Sequence, residues 1–134
     1  MSEPRVLIVE DHADLRKLMR LTLNGFGYRL FEAENGEDAL SLVTSERPDL
    51  VLLDIMLPGS LSGLDVCRAI KIDEESSWIR VVLLSARTQE EDIKTGREAG
   101  ADQYIKKPFS PATLLEVVQK ELAHLASPRD QKRT

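Results

Sequence analysis

The chain has one cysteine, no long apolar run and no cluster of positive charge, and each shortage removes a class of protein. Cys67 alone cannot form an internal disulfide, which fits a reducing compartment. As a small side chain in a helical stretch, it reads as buried packing. The opening Met1-Ser2-Glu3-Pro4-Arg5 and the short run behind it lack a signal peptide's apolar core, and nothing later approaches the ~18 apolar residues of a spanning helix. A cytoplasmic protein with no membrane segment is therefore expected. A formal net charge of -5, with no run of Lys or Arg, argues against a nucleic-acid surface as the main purpose. No internal repeat or low-complexity segment is present, and 42% apolar residues in a chain of 134 can fill the core of one domain.

What is present is alternation. Apolar runs and stretches of helical spacing follow one another five times, the pattern of βα units and a parallel sheet. Strands are expected near Arg5 to Val9, Tyr28 to Ala33, Leu50 to Asp54, Arg80 to Ser85 and Gln103 to Lys106. The first, third and fourth are almost wholly apolar, as strands covered on both faces should be, whereas the more polar second belongs at an edge. Leu15, Leu18, Met19, Thr22 and Leu23 give a helix with one buried stripe that stops near Asn24-Gly25. Leu114, Val118, Leu122 and Leu125 give the last helix the same stripe. Two more helices are expected around Glu37 to Ser45, closed by Pro48 beyond its end, and around Leu64 to Ile72. The stretch Gln89 to Ala99 is weak: Ile93 and Ala99 are its clear anchors, and Gly96 inside it costs ~1 kcal/mol relative to alanine. A poorly anchored helix beside a ligand site is a candidate moving part.

Polar residues gather where the apolar runs end. Glu10-Asp11 follow Val6 to Val9, Asp54 follows Leu50 to Leu53, Ser85 follows Val81 to Leu84, and Lys107-Pro108 follow Tyr104-Ile105. In a parallel sheet these strand ends lie side by side, at the crevice where such sheets bind ligands. Three carboxylates, a hydroxyl and an ammonium would meet there, an inventory suited to a divalent cation plus a phosphoryl group. A carboxylate needs no general base to attack phosphorus, and a dication makes the approach of a further anion to clustered carboxylates tolerable.

The segments Val9-Glu10-Asp11, Leu53-Asp54-Ile55-Met56-Leu57-Pro58, Leu84-Ser85-Ala86, Ala99-Gly100-Ala101-Asp102 and Tyr104-Ile105-Lys106-Lys107-Pro108-Phe109, in that order, resemble the receiver domain of two-component response regulators. The likeness runs over about residues 4 to 126, leaving Ser127 to Thr134 as a polar tail or the start of a linker. It implies an α/β, flavodoxin-like, doubly wound sheet of five parallel strands in the order 2-1-3-4-5, with five helices. Carried over residue by residue, it implies Asp54 as phosphoacceptor and Mg²⁺ as cofactor, held by Asp11 directly, by Glu10 through metal-bound water, by Asp54 and by the backbone carbonyl of Met56. Ser85 and Lys107 would contact the phosphoryl group, Lys107 with a cis bond to Pro108, and Tyr104 would turn inward as Ser85 moves. The implied role is a signalling switch that catalyses only its own phosphorylation and dephosphorylation. Its implied partners are a sensor histidine kinase or phosphotransfer protein, then a downstream effector or fused output domain, with a phosphorylation-dependent homodimer also compatible. Direct nucleic-acid or membrane contact by this domain is not expected.

Blander readings stand beside these. Glu10 and Asp11 could favour a helix N-terminus, Ser85 could cap a helix beginning near Thr88, Lys107 could be solvated beside Lys106, and Tyr104 could be core packing. His12 and His124 lack partner spacing for metal or nucleophilic chemistry and read as surface residues. An aspartate-nucleophile phosphatase of the haloacid dehalogenase type would place a second Asp two residues after the nucleophile, where this chain has Met56. A dinucleotide-binding protein would need a glycine-rich loop in place of Glu10-Asp11. A binding-only pseudo-receiver would not keep the whole set of Glu10, Asp11, Asp54, Ser85 and Lys107. The chain departs from the family in a loop, Asp54 to Gly63, one residue longer than the commonest form, and in Trp78-Ile79 before the fourth strand. The sequence is read as either a stand-alone receiver or a fragment cut at a linker.

Overall fold

The computed structural model describes residues 3–87 and 89–124. Strand and helix alternate throughout: β1 (Arg5–Val9), α1 (Ala13–Leu23), β2 (Arg29–Ala33), α2 (Gly36–Glu46), β3 (Leu50–Asp54), α3 (Gly63–Ile72), β4 (Arg80–Ser85), α4 (Glu90–Glu98), β5 (Gln103–Lys106) and α5 (Pro111–Ala123). All neighbouring strands pair in parallel, in the order β2-β1-β3-β4-β5. The polar second strand lies at an edge, while β1 and β3 sit in the middle, as their near-continuous apolar runs require.

Successive strand side chains point to opposite faces, so each strand feeds two cores. Val6, Ile8, Leu50, Leu52, Val82 and Leu84 meet Met19 and Leu23 of α1 and Leu114 and Val118 of α5. Leu7, Val9, Val51, Leu53, Val81 and Leu83 meet Ala39, Val43, Val66, Cys67 and Ile70 of α2 and α3. Cys67 is fully buried, its Sγ–H donates to Ala99 O at 3.4 Å, and burial pushes the thiol up to about 11. It is packing, as its isolation suggests.

The differences from expectation are local. Leu18 is exposed rather than part of the buried stripe. Leu15, Met19 and Leu23 keep to one line along α1, and the step of three to Leu18 carries it onto the flank open to solvent. The second strand begins at Arg29 rather than Tyr28, because the ladder starts with the Arg5 and Arg29 pair. Helix α4 starts at Glu90, with the Gln89 N–H held by the Asp92 carboxylate at 3.2 Å, so Ser85 is not its cap. Ile79 before β4 is core, and Trp78 donates to Glu75 O. Leu125 and the tail Ser127 to Thr134 lie outside the described residues.

Candidate phosphoryl and metal site

Strand register builds the site. Val9 stands level with Ala33 and Leu53, Asp54 with Leu84, and Ser85 with Lys106, so the polar residues at the ends of β1, β3, β4 and β5 arrive at one edge. The turn after β5 is fixed by the Lys107 N–H donating to Ser85 O at 2.8 Å, and the Lys107-Pro108 peptide is cis.

Lys107 is the hub. Its ammonium, 19% exposed, donates to Glu10 Oε1 at 2.8 Å and to Asp54 Oδ2 at 2.9 Å. Glu10 is fully buried, and its other oxygen accepts from the His12 N–H at 3.2 Å. Asp54 is 2% exposed, and its Oδ1 accepts from the Met56 N–H at 3.0 Å. Both carboxylates are thus shielded from water, and one cation serves the two. Burial pushes the Asp54 carboxyl above its ordinary range, aided by the nearby Glu10 charge and opposed by Lys107 and the Met56 amide. For Glu10 burial acts the same way, but the Lys107 and His12 hydrogen bonds outweigh it and hold the carboxyl below its ordinary value. Burial works against the charge on Lys107 too, yet the two carboxylates keep its ammonium more strongly protonated than usual. The readings of Glu10 as a mere helix-end charge, and of Lys107 as a solvated one, do not fit these contacts.

Asp11 completes the cluster, and its Oδ1 is a buried atom with no hydrogen-bond partner. Such an atom carries a desolvation cost that a cation would relieve. Ligand atoms from Glu10, Asp11, His12 and Asp54 all lie within 4.8 Å of one another. The carboxylate oxygens among them are hard donors that fit a divalent cation of the Mg²⁺ class. Ser85 is buried, and its Oγ accepts from the Arg87 N–H at 3.0 Å. Tyr104 is half-buried, and its hydroxyl donates to the Arg87 carbonyl, so Arg87 joins the two residues named as the switch.

Three contributors escape a reading by strand ends. Arg16 reaches back from α1, donating through Nη1 to Glu10 O at 2.8 Å and through Nε to Glu32 Oε1 at 3.2 Å, which ties the acidic loop to β2. Only a helix-turn offset from Glu10 hints at it. Gly63 is held by close approach: a Cβ there would lie 2.1 Å from Asp54 O and 2.6 Å from Ile55 Cα. The loop from Asp54 to Gly63 therefore folds tightly onto the phosphoacceptor candidate, and its tip turns to α2, where the Ser60 hydroxyl donates to Glu37 Oε1 at 3.2 Å. His12 is at the surface, as expected, but it joins the cluster and so has the partner that its spacing did not suggest; the i, i+2 step from Glu10 in a loop was the overlooked signal.

Residues 6–119 match the model of the response regulator receiver domain family. The DNA-binding response regulator MtrA of Mycolicibacterium paratuberculosis is 43% identical over 118 residues, 88% of this chain and 51% of that protein. The phosphate regulon transcriptional regulatory protein PhoB of Pseudomonas aeruginosa is 43% identical over 110 residues, 82% of this chain and 48% of that protein. The chain spans about half the length of these relatives. Among solved structures, the BeF3-activated DrrB receiver domain superposes with a TM-score of 0.81 at 35% identity, covering 92% of this chain and all of that one. The chemotaxis response regulator CheY4 of Vibrio cholerae gives 0.84 at 28% identity, covering 90% of this chain and 99% of its own.

Proposed function

This chain belongs to the response regulator receiver domain family, and from that premise we propose that it is a phosphoacceptor switch with Asp54 as the accepting residue. The observation that carries the reading is a carboxylate 2% exposed at the end of the central β3, oriented by two donors and flanked by an Asp11 oxygen that lacks one. In the transfer, a carboxylate oxygen of Asp54 bonds to phosphorus while the phosphorus–nitrogen bond of a donor phosphohistidine breaks, and the nitrogen keeps the electron pair. Burial raises the Asp54 pKa, yet Lys107 and the Met56 amide favour the ionised form that attacks.

Asp11, Asp54, the Met56 carbonyl and, through water, Glu10 would hold Mg²⁺, which when bound supplies positive charge against the three carboxylates and the arriving phosphate. Lys107 then donates to a phosphoryl oxygen instead of bridging Glu10 and Asp54. Ser85 turns its hydroxyl to another, loosening its hold on the Arg87 amide. That frees Tyr104, whose hydroxyl is tied to the same Arg87, to move inward. The readout face is α4, β5 and α5. Attack of water on phosphorus, with Asp54 leaving as carboxylate, resets the switch; the chain turns over no metabolite.

The donor is a sensor histidine kinase or phosphotransfer protein. The receiver unit is 4–126, with 127–134 a polar tail or the start of a linker, and the signal passes to an effector protein or fused output domain. Relatives named as DNA-binding regulators, of which the match covers about half, favour the second. A phosphorylation-dependent homodimer fits the same readout face. The domain touches neither nucleic acid nor membrane and works in the cytoplasm; no helix among the described residues is long and apolar enough to cross a membrane. Mass spectrometry after incubation with acetyl phosphate and Mg²⁺ tests the reading. One phosphoryl group per chain is expected, and none on Asp54→Asn; full labelling of that variant would overturn the assignment.

A further inference from the structure

The groups clustered at the candidate cation site include one ring nitrogen. His12 is the N-cap residue of α1, but its side chain makes no capping hydrogen bond. Its ring is 74% exposed and turned to the acidic cluster, with Nδ1 hydrogen-bonded to Glu10 Oε2 at 3.2 Å and 3.5 Å from Asp11 Oδ1. The ring is not needed to orient Glu10, because the His12 backbone N–H already donates to the same oxygen. At 3.5 Å the approach to Asp11 is too long for a good hydrogen bond. The spacing to Asp11, the direct ligand, is close to what two donors of one ion require, since neighbouring ligands of a six-coordinate dication at about 2.1 Å stand roughly 3 Å apart.

We propose that His12 Nδ1 is a nitrogen donor to the divalent cation of this site, which gives the site an added preference for imidazole-accepting transition dications. The inference rests on the reading of Glu10, Asp11 and Asp54 as the cation-holding residues. Mg²⁺ is a hard ion that keeps its waters and gains little from an imidazole, whereas Co²⁺ and Ni²⁺ take nitrogen readily. A cation bound beside Asp11 Oδ1 would take the place of the Nδ1 proton that now faces Glu10 and select the tautomer with its proton on Nε2. The exposed edge of the ring leaves that proton in water.

Calorimetric titration of the full chain with Co²⁺ and with Mg²⁺, each alone, tests this on His12→Ala and on His12→Asn. Asparagine suits the N-cap position, so the second variant guards against a loss of fold. Losing a hydrogen-bonding partner of a metal ligand costs ~10- to 100-fold in affinity, so losing a direct donor should weaken Co²⁺ at least about tenfold. Mg²⁺ should change by less than about twofold, and pulsed electron paramagnetic resonance of the Mn²⁺-loaded wild type should show a directly bound nitrogen that both variants lack. Equal losses for Co²⁺ and Mg²⁺, no loss of either, or no nitrogen coupling would overturn the proposal while leaving the cation site standing. A wild-type chain that binds neither ion would overturn the site itself, and this inference with it.

Discussion

Buried charge occurs at both ends of the sheet, and the two clusters are built to opposite rules. At the N-terminal end of β4, Arg80 donates from Nε and Nη2 to Glu121 Oε1 at 2.9 and 2.8 Å, and its Nη1 lies 3.4 Å from Asp102 Oδ1. Lys71 closes on Asp102 Oδ2 at 2.8 Å, and the same oxygen accepts from the Val81 N–H. Two cations meet two carboxylates there, and β4, α3, α5 and the turn before β5 are fastened together. At the C-terminal end, Glu10 and Asp54 share the Lys107 ammonium, and Asp11 Oδ1 beside them is left without a hydrogen-bond partner. One cluster is closed; the other is short of positive charge. A charge cluster that satisfies itself holds a fold, while one that falls short has room for a further cation and phosphate.

The contrast predicts that the open cluster is the more fragile when its one cation goes. Lys107→Met leaves Glu10 and Asp54 buried together with no counter-charge, and should cost about 3 kcal/mol near pH 7, the lower end for breaking a buried pair because Lys107 is partly open to water. Urea unfolding measures it. The sign with pH follows from the shifts: the raised Lys107 pKa means its contribution is present below its ordinary 10.5 and is lost as pH climbs beyond it. In the variant the two carboxylates lose the partner that lowered their pKa, so the deficit should shrink as pH falls towards 4. A deficit equal at pH 4 and pH 7 would show that packing, not charge, is what Lys107 supplies.

Breaking the closed cluster should cost less and leave the chemistry alone. Glu121→Ala unpairs an Arg80 that still reaches water, so about 2 kcal/mol is expected by the same unfolding measurement, with phosphoryl labelling of Asp54 unchanged. Reduced labelling at equal fold would mean that the two ends of the sheet are coupled and that the comparison fails.

How much of this was legible depends on whether a residue announces itself along the chain. Runs such as Leu50 to Leu53 gave the strands, and the polar residue ending each run gave Glu10, Asp11, Asp54, Ser85 and Lys107, because parallel register carries strand ends to one edge. The closed cluster was invisible, since Lys71, Arg80 and Glu121 carry no motif, and Asp102, though it ends Ala99-Gly100-Ala101-Asp102, has no partner that spacing could name. Glu121 falls on the buried side of α5 in a position where spacing predicts an apolar residue. Gly63 and Arg16 were hidden for a similar reason: one is fixed by a backbone approach and the other by a carbonyl, and neither contact leaves a mark on residue type.

A smaller change sharpens the open cluster from its third carboxylate. Asp11→Asn removes one of three like charges, so Mg²⁺ affinity should fall at least about tenfold in a calorimetric titration. The metal-free protein should meanwhile gain about 0.5–1 kcal/mol from relieved repulsion, read as a higher Tm without Mg²⁺. Unchanged affinity would remove Asp11 from the ligand set and leave its unpartnered oxygen unexplained.

The smallest expected effect lies in the helix that joins the open cluster to the readout face. Gly96 breaks helical propensity inside α4, yet a Cβ there would lie 3.0 Å from Leu83 Cδ1 and 3.3 Å from the Tyr104 ring. The glycine is therefore where α4 presses on Tyr104, the proposed switch residue, and on the sheet, and the weakness of the helix follows from that approach. Gly96→Ala should gain ~1 kcal/mol from propensity and lose about 1–3 kcal/mol to crowding, a net destabilisation near 1 kcal/mol in urea unfolding. Labelling of Asp54 should be unchanged, because no site residue moves. Hydrogen exchange with and without beryllofluoride gives the decisive reading. In the wild type, protection should change over Ser85 to Tyr104 more than over Leu15 to Leu23, and in Gly96→Ala that change should be smaller, because the added methyl obstructs the Tyr104 ring. A response of full size in the variant would mean that Tyr104 moves without passing Gly96, and a wild-type change confined to Ile55 to Gly63 would mean that the phosphoryl group is felt only within the open cluster.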